Sequence, residues 1–312
     1  MGSKIDVERR LDGQPVDGAA VSVVVPHYGD PEPTLALIAE LKRQTPPPGQ
    51  IIVADDHSPR PFPQLSDVLV IRRDANGGFG AAVNSGVRAA DRELLLILNS
   101  DLSVGPTFLT EFLAAARPWL PAVLAPAIVD PDGHRVWSAR RFPTPGHQIA
   151  EWLTPLAAHR HRPSWHRAVG HDAPPGSGSG EATDWVIGAA LLLPRADFEA
   201  ADGFDERYYM NCEEIDLQRR LRDRGLPSIA LPAPTVVHVG GGSSDPARRR
   251  AWLVAARTRY ARKWGGLATL RVGLTAATAA NLGWNAGRRL LGRDVRPLAV
   301  ARDEWDLIWR KA

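Results

Sequence analysis

The sequence predicts an α/β fold in which a mainly parallel sheet is covered by helices and followed by a basic helical appendage. Three observations point to it. Between residues 21 and 101, short continuous runs of Val, Ile and Leu alternate with segments of helical periodicity, the pattern of strands buried on both faces. Acidic clusters close two of those runs, at the strand ends where open α/β sheets bind ligands. The charge is polarised: residues 246–312 hold 15 Lys/Arg against 4 Asp/Glu, a net +11, whereas 1–245 sum to −8.

Each element has its own warrant. A polar tail (1–20) precedes 21–26, a β-branched first strand. Leu35, Ile38 and Leu41 share one helical face, which predicts a helix over 31–44. Residues 51–54 form a second strand ending at Asp55-Asp56; 68–71 form a third, followed by an Asn/Gly turn and a helix over 80–90. A fourth strand, 94–98, ends at Asn99-Ser100-Asp101. The segments 122–129 and 134–137 flank the turn quartet Asp130-Pro131-Asp132-Gly133, so a hairpin is expected. The Pro-, Gly-, Ser- and His-rich stretch 142–182 reads as a long variable loop, and its His161 and His166 lack the Cys partners or sharp spacing of a metal tract. Residues 185–193 read as a buried strand, 194–201 as a short helix, and 213–224 as a helix closed by Gly225. A last short strand, 236–239, leads into Gly240-Gly241-Gly242-Ser243-Ser244, and 246–312 reads as two or three helices.

Bulk properties narrow the class. A chain of 312 residues suffices for one large α/β domain with an appendage or for two small domains. Hydrophobic content of 44% with 23% charged residues is that of a globular protein rather than a disordered one. The lone Cys212 excludes an intramolecular disulfide framework and suits a reducing cytoplasm. MGSKIDVERR has no apolar core, so no secretory signal is expected, and Asp6 stands where myristoylation needs Ser or Thr. No apolar run approaches the ~20 residues that cross a bilayer. The basic C-terminal segment implies an anionic partner (a membrane surface, nucleic acid or a phosphorylated lipid) or else a solvated Arg-rich face.

Five constellations carry chemistry. Asp101, closing an apolar strand, can hold a hard divalent cation against a diphosphate, although turns and helix caps use Asp the same way. Asp55-Asp56 can accept hydrogen bonds from a base or a ribose, or can build a turn with His57-Ser58-Pro59. Asn76-Gly77-Gly78-Phe79-Gly80, with Asn84 and Gly86, lets a ribose or diphosphate approach the backbone but fails the dinucleotide pattern, because Val83 stands where Gly is required. In 203–216 acids crowd a helix start: Asp216 and Arg220 can pair four apart, while Glu214 beside aromatic residues can serve as a general base. His238, before the Gly/Ser loop, can join a metal site, although a lone histidine at a strand end is more often structural.

Taken in order, VSVVVPHYGD, ADDHS, NGGFGAAVNSG, NSD, SARRFP, DWVIGAALLLPR, GFDERYYM, EEIDLQRRLRDRG and VVHVGGGS resemble glycosyltransferase family 2 over about 21–264, within its rhamnosyltransferase branch. The resemblance implies a GT-A fold with a nucleotide-sugar half (about 21–130) and an acceptor half (131–264), and leaves 265–312 as a basic amphipathic tail. It implies that Asp101 holds Mg²⁺ or Mn²⁺ with His238 as a second ligand. Asp55, with Asp56, would contact the base, and Pro26, Tyr28, Asn76, Gly80, Asn84 and Asn99 would line the nucleotide sugar. Trp185, Gly188, Ala189 and Asp205 would shape the acceptor side. Arg140, whose guanidinium matches phosphate bidentately, is a candidate phosphate or acceptor contact or else a surface salt bridge. The family's E-D-x-D element reads Glu213-Glu214-x-Asp216 here. The base is therefore Glu214, one methylene longer than the usual Asp, with Glu213 as the alternative. Asn99 replaces the first Asp of D-x-D, so its ribose contact falls to a neutral amide or is lost.

The reaction so implied is a single inverting displacement. It moves a sugar from a nucleotide diphosphate, dTDP-rhamnose by preference and UDP- or GDP-sugars otherwise, to a lipid-linked or glycan hydroxyl. The expected location is cytoplasmic, peripheral on the inner membrane face. Trp252, Trp264, Trp284, Trp305 and Trp309 among arginines fit an interfacial helix or pack on the domain. Two rivals explain less. A nucleic-acid-binding protein accounts for the +11 tail but not the upstream acids, so no nucleic-acid partner is expected. A non-catalytic sugar-nucleotide sensor would have lost the acids at 101 and 214, and both are present. A nucleotidyltransferase wants a basic glycine-rich loop after the first strand, and PHYGDPEP has no Lys or Arg.

Overall fold

A computed structural model describes residues 17–176, 178–239 and 245–310. Most of the polar tail and the Gly240–Ser244 loop lie outside the described residues. The strands are β1 (Val21–His27), β2 (Gln50–Asp55), β3 (Leu69–Arg72), β4 (Leu94–Leu98), β5 (Leu102–Val104) and β6 (Val123–Val129), then β7 (Ala139–Arg140), β8 (Glu181–Thr183), β9 (Trp185–Val186), β10 (Ala190–Pro194) and β11 (Ser228–His238). The helices are α1 (Glu32–Lys42), α2 (Phe79–Val87), α3 (Phe108–Ala116), α4 (Pro145–Trp152), α5 (Pro163–Ala168), α6 (Arg195–Ala200) and α7 (Glu213–Asp223), followed by α8 (Pro246–Trp264), α9 (Leu267–Leu290) and α10 (Pro297–Trp309).

Nine strands form one sheet in the order β3-β2-β1-β4-β10-β6-β11-β5, with β8 also on β11. β3, β2, β1 and β4 run parallel, β10 returns antiparallel between β4 and β6, and β11 lies parallel to β6. Covering both faces explains why these strands read as unbroken apolar runs. Along β1, Val21, Val23 and Val25 enter the core beneath α1 and α3, while Val24 enters the opposite core with Val83 and Val87 of α2. Along β4, Leu94, Leu96 and Leu98 join the first core and Leu95 and Ile97 the second. The alternation is the two-residue strand period with both faces apolar.

By contacts the described chain divides into two compact units, one comprising 17–140, 174–209 and 213–239 and the other 141–173, 210–212 and 245–310. The expected boundary at 264 therefore falls inside the second unit, because α8 packs with α9 and α10 rather than ending the sheet domain. The second unit has its own core of Trp152, Val254, Ala261, Leu270, Leu274, Ala277 and Ile308. The stretch expected to be a long loop supplies α4, α5 and β8, and Trp152 of α4 anchors that core.

Other departures have local causes. The expected strand 185–193 splits at Ile187-Gly188-Ala189 into β9 and β10, which belong to different sheets. β11 is much longer than 236–239, since Pro232 and Pro234 mask a strand that breaks register between Ala230 and Thr235. β5 and α3 were not foreseen. The expected hairpin is present as an isolated bridge, Val129 to Arg135.

Gly86 sits where α2 crosses β1, and a Cβ there would stand 2.5 Å from Val24 Cγ1. Gly86→Val should therefore overpack this crossing and lower unfolding stability by about 1–3 kcal/mol, as read from urea denaturation.

Candidate active site

The site forms at the carboxyl ends of the parallel strands. β4 ends at Leu98, and the chain turns through Asn99-Ser100-Asp101 into β5. β5 pairs antiparallel with β11, with Leu102 opposite His238, and Val239 N–H donates to the Asp101 carbonyl at 3.2 Å. This register delivers the imidazole to the carboxylate: His238 Nε2 lies 3.2 Å from Asp101 Oδ1, the two side chains being 25% and 30% exposed. Burial alone would raise the Asp101 pKa, but the hydrogen bond and charge of His238 and a backbone N–H outweigh it and hold the carboxyl below its ordinary value. Beside this pair, Asn99 donates its backbone N–H to the Ala189 carbonyl at 2.8 Å. Its buried side-chain oxygen has no hydrogen-bond partner among the described residues.

Ala189 leads to the second candidate. Gly188, in the break between β9 and β10, lies against Glu214 of α7: a Cβ on it would be 3.2 Å from Glu214 Cβ and 3.4 Å from Cγ. Contacts thus run continuously from Glu214 through Gly188, Ala189 and Asn99 to Asp101 and His238. Glu213, by contrast, is buried and packs toward Gly80. Directly before α7, Asn211 and Cys212 hold φ of 71° and 67°, strained values for non-glycine residues. Asp216 is fully buried and paired with Arg220 at 2.9 Å, in the expected i,i+4 geometry, and Arg220 also bonds the carbonyls of Ala201 and Gly203.

The paired acids after β2 prove to be scaffold. Asp55 is wholly buried; it accepts from the amides of Ser58 (2.8 Å) and Phe62 (3.1 Å) and pairs with Arg72 at 2.5 Å. Asp56 accepts from Gly77 N (3.0 Å), Gly78 N (2.7 Å) and Arg73 (2.6 Å). The expected contact of Asp55 with a base does not fit this arrangement, because its oxygens are out of solvent and engaged by protein donors. Asp56 ties down the glycine turn instead. Gly78 is required there: its φ is +87°, and a Cβ would overlap the Tyr209 carbonyl at 1.7 Å.

Asn84 is corrected in the same way. Its amide donates to the Phe204 carbonyl (2.8 Å) and to Glu206 (3.0 Å), and its oxygen accepts from Phe204 N (2.9 Å). It clamps α2 to the 203–206 turn rather than facing a ligand. Pro26 is buried within β1, and Tyr28, just beyond that strand, is 53% exposed. Asn76 has a buried side-chain oxygen without a hydrogen-bond partner among the described residues. Trp185 is buried beneath the Arg140 guanidinium, 5.4 Å from the ring centroid, and Arg140 Nε donates to the Trp137 carbonyl. Asp205 is gripped by Arg207 through two nitrogens at 2.8 and 2.6 Å.

Gln218, Arg72 and Arg73 went unrecognised in the sequence. Gln218 is fully buried, exchanges hydrogen bonds with Val186 N and O (2.8 and 2.7 Å), accepts from Ser228, and so fixes β9 to α7. The arginines were legible in principle, because adjacent parallel strands ending in an acid pair and an arginine pair bring Asp55 opposite Arg72. A separate exposed cluster, Asp130, Asp132 and His134, places three ligating atoms within 4.8 Å of one another. There Asp130 serves its own turn, accepting from the amides of Asp132 and His134.

The fold is of GT-A architecture, and comparison places it. The chain belongs to glycosyl transferase family 2, whose family model matches residues 22–173. It is 32% identical over 244 residues, 69% of this chain and 75% of the relative, to the N-acetylglucosaminyl-diphospho-decaprenol L-rhamnosyltransferase of Mycobacterium tuberculosis. It is 28% identical over 251 residues to the O-antigen biosynthesis protein RfbC of Myxococcus xanthus, covering 76% of this chain and 18% of that one. Among solved structures, GalNAc-T7 with UDP, GalNAc and Mn²⁺ superposes with a TM-score of 0.56 at 15% identity, covering 80% of this chain and 48% of that one, a likeness of fold. The protein is a glycosyltransferase.

Two predictions follow from this geometry. Gly188→Ala drives a methyl against Glu214, and should cut kcat for glycosyl transfer on the order of tenfold or more with little change in melting temperature. Asp55→Ala leaves Arg72 and two amides unpaired, and should cost about 2–4 kcal/mol in urea denaturation at neutral pH. Asp55's donors overcome its burial and lower its pKa on folding. Its contribution is therefore present above the unfolded value of about 3.9 and lost as pH falls through the lower folded value, so the wild-type–variant gap should narrow in acid.

Proposed function

We propose that the chain is an inverting transferase that moves rhamnose from dTDP-rhamnose to a hydroxyl of a lipid-linked glycan. The observation that carries the reading is the set of Asp101, His238, Asn99 and Gly188 at the strand ends with Glu214 beside them, in a chain 32% identical to an N-acetylglucosaminyl-diphospho-decaprenol L-rhamnosyltransferase. Asp101 and His238 would hold Mg²⁺ or Mn²⁺, which suits one hard carboxylate oxygen and one imidazole nitrogen. The unpartnered Asn99 oxygen supports a polar guest beside them. When bound, such a cation supplies charge neutralisation to a departing diphosphate.

Glu214 is the better base of the two acids, since it is half-buried and lies on the Gly188 side, whereas Glu213 is buried toward Gly80. Its carboxylate takes the proton of the acceptor hydroxyl. The oxygen then bonds to the anomeric carbon as the carbon–phosphate oxygen bond breaks, so the sugar inverts and the nucleoside diphosphate leaves with the electron pair. Gln218 acts on this step as a positioning residue, fixing the β9 end next to α7. The base contact is reassigned: with Asp55 and Asp56 engaged internally, the exposed Tyr28 ring and the Asn76 amide are the groups available to a nucleoside. The acceptor's lipid implies peripheral attachment to a membrane.

Incubating the purified protein with dTDP-rhamnose, Mg²⁺ or Mn²⁺ and a polyprenyl-diphosphate N-acetylglucosamine should yield a rhamnosylated product. Asp101→Ala and Glu214→Gln should each lower kcat by on the order of 10²-fold or more while the fold is kept. Undiminished turnover of the Asp101 variant, or of wild type in EDTA, would remove the cation from the scheme. Thermal stabilisation by UDP or GDP but not by dTDP would overturn the donor.

A further inference from the structure

α9 leaves an uncharged face turned to solvent. Residues 272–287 are sixteen consecutive positions without a charge, and the side turned into the helical unit sets polar residues beside the core residues Leu270, Leu274 and Ala277. Thr278, Asn281 and Asn285 are buried. Thr278 accepts from Trp152 Nε1 and donates to Glu304, each at 2.9 Å, and Asn281 donates to the Trp152 carbonyl at 3.0 Å and to Glu304 at 3.2 Å. The solvent side carries Val272, Ala276, Ala279, Ala280, Gly283 and Trp284. A water-facing helix surface normally carries the charges; here they are missing over four turns.

The turn that follows α9 repeats the anomaly. Leu290, Leu291 and, at the start of α10, Leu298 are 89%, 84% and 77% exposed. Arg288, Arg289, Arg293 and Arg296 surround them, with Asp294 the one acid between residues 272 and 296. No ion pair to these four arginines occurs among the described residues.

We propose that this face, the uncharged side of α9 and the leucine-tipped turn leading into α10, is a docking surface for an anionic lipid bilayer. The helix lies in the interface, Trp284 sits at headgroup depth and Leu290, Leu291 and Leu298 enter the acyl boundary. The four arginines hold anionic headgroups around the inserted leucines. Charge complementarity selects this occupant: a second copy of the chain would bring another four arginines against these, and a nucleic acid has no use for exposed aliphatic side chains. No helix among the described residues is long and apolar enough to cross a membrane, so attachment is in-plane.

The test uses the full-length protein and sedimentation with phosphatidylcholine vesicles made with and without phosphatidylglycerol. Wild type should pellet with the anionic vesicles and release as salt rises. Leu290→Glu with Leu291→Glu should weaken that binding by on the order of tenfold or more, as should Arg288→Gln with Arg289→Gln and Arg293→Gln. Because these positions are exposed, circular dichroism and transfer to a water-soluble acceptor should not change. Brominated phosphatidylglycerol should quench part of the tryptophan emission, and Trp284→Phe should lose that part. Absence of pelleting and quenching at low salt overturns the surface. So does a wild-type dimer that the leucine variants dissociate, which would identify a second copy as the occupant. Loss of sugar transfer with vesicle binding retained would count against the transferase scheme and leave this surface standing.

Discussion

His238 meets Asp101 because β11 and β5 pair at the edge of the sheet. A carboxylate that closes an internal parallel strand and an imidazole far along the chain can share a proton or a cation only if both ends emerge on one side. The antiparallel return of β5 against β11, Leu102 opposite His238, enforces that. A slip of one residue would turn the imidazole to the opposite face of the sheet. The same edge takes Asn99 onto the Ala189 carbonyl and hence sets Gly188 beside Glu214. Asn99, Asp101 and His238 are thus located by backbone pairing, with Gly188 setting Glu214 beside them.

Around this edge the charged residues divide by burial. Asp55, Asp56 and Asp216 are sequestered and meet guanidinium groups and amides; their work is to hold a loop, a glycine turn and a helix start. Asp101 and Glu214 keep access to solvent. Burying a carboxylate costs several kcal/mol unless its partners compensate. An acid with a full set of internal donors has therefore been committed to structure, and an acid left half-exposed beside an unpartnered amide has not. Burial and partner count separate the two roles where sequence adjacency cannot.

This difference also marks how far the sequence could be read. Apolar runs at 21–26, 51–54, 68–71 and 94–98 announced a doubly covered sheet, since alternate valines and leucines feed two cores and leave no polar period. Asp101, His238 and Glu214 lie at the strand and helix ends where the sequence places them. The internal hydrogen bonds of Asp55 and Asn84 to Arg72, Ser58 and Phe204 were not legible, because these contacts are set by tertiary register. Gln218 escaped for the same reason, since nothing local distinguishes a glutamine that bonds a strand from one that faces water. β11 was truncated by its own prolines, which a strand at a register break tolerates and a central strand does not.

The helical unit poses the opposite problem. Its tryptophans and arginines suggested an amphipathic surface, but α9 buries polar residues as well as apolar ones and carries no charge on the outer face of 272–287. Such a helix persists because its polar side is saturated: Glu304 receives hydrogen bonds from Thr278 and Asn281 and the charge of Arg250, whose guanidinium also covers Trp152 at 4.7 Å. A satisfied buried network specifies one packing of α4, α9 and α10, whereas a partly satisfied one would favour several. Hydrogen bonding thus holds the interior together with Leu270, Leu274 and Ala277, the α9 side chains that enter the apolar core. The uncharged outer face of α9 is what the proposed bilayer contact would cover.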